Sequence, residues 1–191
     1  MSVLSQAISV TTVLDYFATP WLVDWKLRVG KKEAGRISRE AMKIGSRIDE
    51  IIKSGKVKSF SKEKDEVKNC IRAYDKWHEV YQPKSITPCT RLFATIDGIE
   101  VTGEPDLMVD DVLVDIKCSS KISLNYWLQV NMYRRLQGNS MDKVAVLRLD
   151  KVTASYEYVV KDYDPKLVEV WCGLLKAYCY YKGDDDGGLD V

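Results

Sequence analysis

Asp106, Asp115 and Lys117 are the residues of this sequence whose types and spacing best suit chemistry. Asp106 closes the run Gly103-Glu104-Pro105-Asp106, and Asp115-Ile116-Lys117 closes the strand-like run that follows. The region reads as two short strands, Val101 to Val109 and Val112 to Lys117, turning at Asp110-Asp111. In that register Val109 faces Val112, Leu107 faces Val114, and Asp106 faces Asp115. Alternation gathers Leu107, Val109, Val112, Val114 and Ile116 on an apolar face and puts Asp106, Asp115 and Lys117 on the other. Opposed carboxylates with Cβ atoms roughly 5 Å apart repel, so the pair costs stability unless a cation or proton lies between them. One lysine cannot neutralise both. The set suits a hard cation such as Mg²⁺, which is bound by one or two carboxylates plus water and substrate phosphate. An Asp-x-Lys taken alone is more often a solvated edge strand; the combination is what favours chemistry.

A second group lies just downstream. Leu124 to Gln137 reads as a helix stopped by Gly138, and it carries Gln129 and Tyr133 one turn apart on one face. A helix folding back over the sheet directly after Lys117 aims both at the carboxylates. Outside that setting they are a polar fringe on a packing helix.

The remaining elements must position these residues. Residues 9–28 read as one or two short helices capped by Ser9 or Thr11 and interrupted at Pro20, with Val13, Leu14, Phe17, Trp21, Leu22 and Trp25 as the apolar side. Glu33 to Ser54 is a long helix ended by Gly55, packing through Ile37, Ala41, Ile44, Ile48, Ile51 and Ile52. After a basic loop, Ser61 to about Tyr81 forms another, buried along Val67, Ile71, Tyr74, Trp77 and Tyr81. His78, the single histidine, has no second histidine or cysteine at metal-ligand spacing and reads as structural. Thr90 to Ile96 and Ile99 to Leu107 turn at Asp97-Gly98 and, with Val112 to Lys117, make a three-strand meander. Asp142 to Leu149 and Ser155 to Val160 are two more strands, and Asp164-Pro165 opens a last helix to about Lys182. The expected class is α/β, a central mixed β-sheet flanked by helices. One domain is expected over residues 1–182, with a helical portion at about 9–81 and an acidic, disordered tail at 183–191.

Composition bounds the partners. With 191 residues, 46% hydrophobic and 30% charged, the chain has length for a substantial core and no apolar run that spans a membrane. The five cysteines form no CxxC pair, which fits a reducing, intracellular setting. A net charge of +1 conceals a basic region: residues 26–72 hold 15 Lys/Arg against 7 Asp/Glu. Such a surface suits a phosphate backbone, and equally suits solvated helices whose lysines aid solubility.

These motifs, Gly103-x-Pro105-Asp106, Asp115-Ile116-Lys117 and Gln129-x-x-x-Tyr133, resemble the PD-(D/E)XK nuclease superfamily, most closely its RecB-like and phage-type exonuclease branch. That branch also holds the CRISPR-associated four-cysteine nucleases. The resemblance extends upstream to the serine-rich start Ser9-Val10-Thr11-Thr12 and to Gly45-Ser46-Arg47-Ile48-Asp49, where family members carry a histidine in place of Asp49. It covers about residues 9–150 and implies a restriction-endonuclease-like core. It implies that Asp106, Asp115 and the backbone carbonyl of Ile116 ligate Mg²⁺ or Mn²⁺, that Lys117 orients or activates water, and that Gln129 and Tyr133 position the scissile strand. Asp49 either completes an all-oxygen site for a second ion or leaves a single metal, and Glu50 is the alternative ligand. The sequence Ala18-Thr19-Pro20 lacks the cysteine of some relatives, and no C-terminal cysteine cluster is present, so no iron–sulfur cluster is expected.

Three functions are therefore weighed. The first is a metal-dependent DNA nuclease, an exonuclease before an endonuclease, with Arg36, Arg39, Lys43 and Arg47 on the phosphate backbone. Membership of a homo-oligomer or a recombination or replication assembly is compatible with it. The second is a nucleic-acid-binding or assembly protein on the same fold with catalysis lost; paired carboxylates on a polar face count against it. The third is an Mg²⁺-dependent phosphohydrolase of small nucleotides, which lacks a phosphate-cradling glycine loop.

Overall fold

Turn chemistry and one proline decide how the strands are arranged in the computed structural model, which describes residues 7–17, 20–55, 60–138 and 141–186. Strands β3 (Leu92–Ile96) and β4 (Ile99–Gly103) form a hairpin closed by Asp97 and Gly98, at φ 48° and 80°. Both residues are left-handed, as a two-residue turn matched to strand twist requires. Strands β5 (Leu107–Val109) and β6 (Val112–Lys117) form the next hairpin, through Asp110 and Asp111 at φ 47° and 65°. Aspartate tolerates this conformation. Asp110 Oδ1 also accepts the backbone N–H groups of Lys84 and Ser85 at 2.9 Å each.

The expected meander is split. Glu104, Pro105 and Asp106 lie between β4 and β5, and the two hairpins belong to different sheets. Proline has no N–H to continue a ladder, so the chain leaves one sheet at Gly103 and enters the other at Leu107. The smaller sheet has the order β1-β4-β3, with β1 (Ile8–Ser9) parallel to β4. The larger has the order β2-β5-β6-β7-β8, formed with β2 (Ile86–Pro88), β7 (Lys143–Leu149) and β8 (Tyr156–Asp162). Within it β6 and β7 are parallel and the other pairs antiparallel. The α/β class with mixed sheets flanked by helices is thus as expected, with two sheets in place of one.

The parallel β6–β7 pair needs a crossover, which α5 (Leu124–Gln137) supplies. It lies between the larger sheet and a layer made of β3, β4, α1 (Val10–Tyr16) and α6 (Pro165–Asp186). Burial on so many sides explains why Trp127 to Tyr133 are all buried in sequence. Trp171 of α6 is fully buried in this core, and its Nε1 donates to the Val10 carbonyl at 3.3 Å.

The opposite face of the large sheet is covered by α3 (Lys31–Ser54) and α4 (Asp65–Tyr81). Ile44, Ile48 and Ile51 from α3 and Val67, Cys70, Ile71 and Trp77 from α4 pack on Leu107, Val109, Val114 and Leu147. Gly55 ends α3 at φ 61°, its N–H bonded to the Ile51 carbonyl. Helix α4 begins at Asp65, later than the expected Ser61. A short 3₁₀ turn, Phe60–Lys62, precedes it, and Asp65 and Glu66 then fill the first helical turn, where carboxylates are favoured.

Two expected apolar faces are buried only in part. On α3 Ala41 alone of the expected residues is exposed, and on α2 (Pro20–Val29) Leu22 and Trp25 are half-buried, while Val23 and Leu27, outside the expected face, are exposed. The side chain of Trp21, the basic loop at 56–59 and the tail at 187–191 lie outside the described residues. Helix α6 runs on to Asp186, into the stretch expected to be disordered. No helix among the described residues is long and apolar enough to cross a membrane.

Candidate active site

Asp106 stands one residue before β5, in the break that Pro105 creates. Its Oδ2 accepts the backbone N–H of Ile116 at 2.6 Å, which pins the carboxylate against β6. Asp115 is on β6 with only 1% of its surface exposed. Its Oδ2 lies 2.7 Å from Lys117 Nζ. Alternation puts Asp115 and Lys117 on the same face of β6, the face that α5 covers.

Helix α5 contributes three side chains to that cleft. Gln129 Nε2 donates to Tyr133 Oη at 2.6 Å, with both residues buried. Tyr126, one turn before Gln129, places its ring under Lys117, with the ammonium 5.3 Å from the centroid. The cleft has a volume of about 510 Å³, and α3 forms its other wall. A second hollow of about 570 Å³ adjoins it across Glu104 and Tyr133, with Ser9, Thr11, Thr12 and Arg91 in its walls.

Gly103 is placed by the same helix. A Cβ built on it would stand 2.6 Å from Tyr133 Cε1, so the ring and the strand end fit together only because this residue has no side chain. Its spacing from Asp106 is a packing requirement beside the site.

Burial sets the electrostatics. Removal from water, followed by the Asp115 charge, pushes Asp106 up to about 7. Asp115 is raised too, chiefly by burial and in part offset by Lys117. Burial opposes the Lys117 ammonium, but the two carboxylates outweigh it and hold Lys117 above its ordinary value. Tyr133 is raised by burial and by the Asp115 charge, so it stays a neutral phenol.

Asp49 lines the cleft from α3. Its Oδ1 is 3.0 Å from Lys53 Nζ, and that nitrogen lies 3.6 Å from Glu104 Oε1 and 3.9 Å from Asp106 Oδ1. Asp49 Oδ1 and Asp115 Oδ2 are buried oxygens, and each has an ammonium group as its partner, Lys53 and Lys117. Among the described residues no three acidic, thiol or imidazole side chains stand together as a ready-made metal cage. The donors nevertheless fit Mg²⁺ or Mn²⁺ of the kind completed by substrate: hard oxygens of Asp106 and Asp115, the Ile116 carbonyl, and the Asp49 carboxylate on the α3 wall.

The four basic residues assigned to DNA do not line this cleft; Ala41, Met42, Gly45, Ser46, Ile48 and Asp49 form the α3 wall. Arg36 pairs with Glu33 at 2.7 Å, and Arg47 pairs with Glu50 at 2.7 Å and Glu63 at 2.5 Å. Arg39 and Lys43 are exposed, and Arg39 borders a groove between α2 and α3. Glu50 is held by Arg47 and does not line the cleft, so Asp49 is the α3 carboxylate at the site. Sequence reasoning passed over Tyr126, Lys53 and Glu104. Tyr126 is three residues before Gln129 and Lys53 four after Asp49, the helical spacings that share a face.

No family model matches the sequence, and no curated protein matches it. Solved structures do. An alkaline exonuclease (LHK-Exo) from Laribacter hongkongensis superposes with a TM-score of 0.53 at 14% identity, over 94% of this chain and 89% of that one. The chain shares its fold with that exonuclease. LHK-Exo in complex with dAMP gives the same values. The protein SSO0001 superposes with a TM-score of 0.50 at 10% identity, over 92% of this chain and 76% of that one. Identities this low speak for the fold of this chain, and the chemistry of its cleft is argued from its own residues.

Proposed function

We propose that the protein is a metal-dependent deoxyribonuclease acting as an exonuclease, with Mg²⁺ or Mn²⁺ held by Asp106, Asp115 and the Ile116 carbonyl. The observation that carries this is the buried Asp115 carboxylate. It sits beside Asp106 and Lys117 in an open cleft, a costly arrangement that a bound cation relieves. A divalent cation there would supply Lewis-acid stabilisation of the phosphate and a more acidic attacking water. The Lys117 ammonium, fixed by Asp115 and the Tyr126 ring, stabilises charge growing on the phosphate and orients the water. Gln129 and Tyr133 present polar atoms to the scissile strand from a rigid helix. LHK-Exo was crystallised with dAMP, a nucleotide that a cleft of this kind would accept. The free cysteines suit a reducing, intracellular setting. A homo-oligomer or a recombination partner is compatible with this reading.

The test is digestion of end-labelled linear and closed-circular DNA, single- and double-stranded, with Mg²⁺, Mn²⁺ or EDTA. The expected result is metal-dependent degradation of linear DNA that Asp115→Ala and Lys117→Ala each reduce by about 10²-fold or more. Cleavage of closed circles would make it an endonuclease. DNA binding without cleavage under either metal would replace the nuclease with a binding protein on the same fold.

A further inference from the structure

Lys53 is an unexpected neighbour for a carboxylate cluster that is read as a metal site. It belongs to α3, one turn after Asp49, and acid before base at this spacing is the favoured helical order. An ordinary pair of that kind points into solvent. Lys53 is instead only 21% exposed. Its nitrogen reaches across to the β4–β5 break, within 3.6 Å of Glu104 and 3.9 Å of Asp106. Glu104 receives Lys53 on Oε1 and Arg91 on Oε2, so its two oxygens are divided between a largely buried cation and an exposed one.

Two ammonium groups thus divide one acidic set between them. Lys117 serves Asp115, and Lys53 serves Asp49, Glu104 and Asp106. Setting aside the exposed Arg91 on Glu104, four carboxylates against the two ammonium groups leave two formal negative charges, which one divalent ion neutralises. Without Lys53 three would remain. Asp49 Oδ1 points in the same direction: its one cationic partner is the Lys53 ammonium at 3.0 Å, which stands where a metal ion bound to that oxygen would stand.

We propose that the Lys53 ammonium occupies the second cation position of the cleft, so that the protein takes up one divalent ion where the same carboxylates without it would take up two. The inference rests on the metal site proposed above. In this reading Lys53 is a positioning residue: it holds Asp49 and Glu104 in place of a metal and leaves Asp106 and Asp115 for the single ion.

Calorimetric titration of the full chain with MnCl₂ tests it, without DNA and without reference to activity. One Mn²⁺ per chain is expected for the unaltered protein and for Lys53→Arg, and two for Lys53→Met. Two ions in the unaltered protein, or one in Lys53→Met, would overturn the proposal while leaving the metal site standing. No binding by the unaltered protein would overturn the metal site itself, and the role of Lys53 with it. Crystals of the unaltered protein soaked in MnCl₂ give an independent reading if Lys53→Met does not fold. A single anomalous peak between Asp106 and Asp115 is expected, and a second between Asp49 and Glu104 sinks the idea.

Discussion

The Tyr133 ring lies against the α-carbon of Gly103, leaving 2.6 Å where a Cβ would meet Cε1 and 3.1 Å where it would meet Leu136 Cδ1. The strand end that precedes Asp106 and the helix that faces Asp115 are therefore locked together by the absence of a side chain. Gly103→Ala must push the ring or the strand away. Overpacking of this kind costs about 1–3 kcal/mol. The larger effect should be on cleavage, because the displaced ring carries the Gln129–Tyr133 pair. Denaturation midpoints and cleavage rates of Gly103→Ala, alone and with Tyr133→Leu, would show it. The second change should recover stability and not activity.

Asp106 has a pKa of about 7 in the folded chain, above the value of roughly 3.9 for an unfolded aspartate. Between these values the native state holds a proton that the unfolded chain has released. The stability this group contributes is complete below about pH 4 and is lost as pH rises through about 7. In EDTA, the melting temperature of the wild type should therefore fall relative to Asp106→Asn as pH is raised across that window. A gap that stays constant with pH would refute it. Metal binding near pH 7 should also release protons, since the ion takes the place of the bound one. Titrations in two buffers of different ionisation heat would show unequal apparent enthalpies.

The basic residues of α3 should separate into two kinds. Arg47 spans Glu50 and Glu63 and ties α3 to the segment before α4, so Arg47→Ala should lower the denaturation midpoint slightly and leave DNA affinity unchanged. Arg39 and Lys43 are exposed on the flank of α3. If DNA runs along that flank, replacing either by alanine should weaken binding alike for all sequences. The slope of log affinity against log salt should fall by about one contact each. Fluorescence anisotropy at several salt concentrations measures both quantities.

The sequence made the second hairpin legible because its signals were local. Asp110-Asp111 between alternating apolar residues marks a turn, and Leu107 then falls opposite Val114, as in the structure. Helix α5 was readable to its ends for the same reason, with Gly138 in the left-handed conformation after Gln137. The split of the sheet was not, because alternation continues through Glu104-Pro105-Asp106 and only the missing proline N–H signals the break. Nor does helical periodicity say which face a partner covers. The stripe on α2 looked like core, yet Leu22 and Trp25 are only half-buried. At the site, the order of Asp106, Asp115, Lys117, Gln129 and Tyr133 could be read because adjacent elements present them. Lys53 and Glu104 meet only through the packing of α3 beside the β4–β5 break, a contact that no local pattern encodes.

Gln129 and Tyr133 make a final case, since their hydrogen bond of 2.6 Å is buried and internal to one helix. Tyr133→Phe removes the acceptor and leaves the Gln129 amide buried with a donor unsatisfied, which costs about 1–3 kcal/mol. Gln129→Leu removes the donor, and the Tyr133 hydroxyl is then the orphan. The double variant replaces both partners by apolar groups of similar size, so it should be more stable than the sum of the single losses predicts, with a coupling of about 0.5–3 kcal/mol. Activity should not follow stability. If the pair positions the scissile strand, the double variant should cleave no faster than either single variant, although it folds better than their sum. Urea denaturation beside single-turnover cleavage separates the two outcomes. Recovery of cleavage in the double variant would mean that the pair only fills the interior and that the strand is placed by Lys117 and Tyr126 instead.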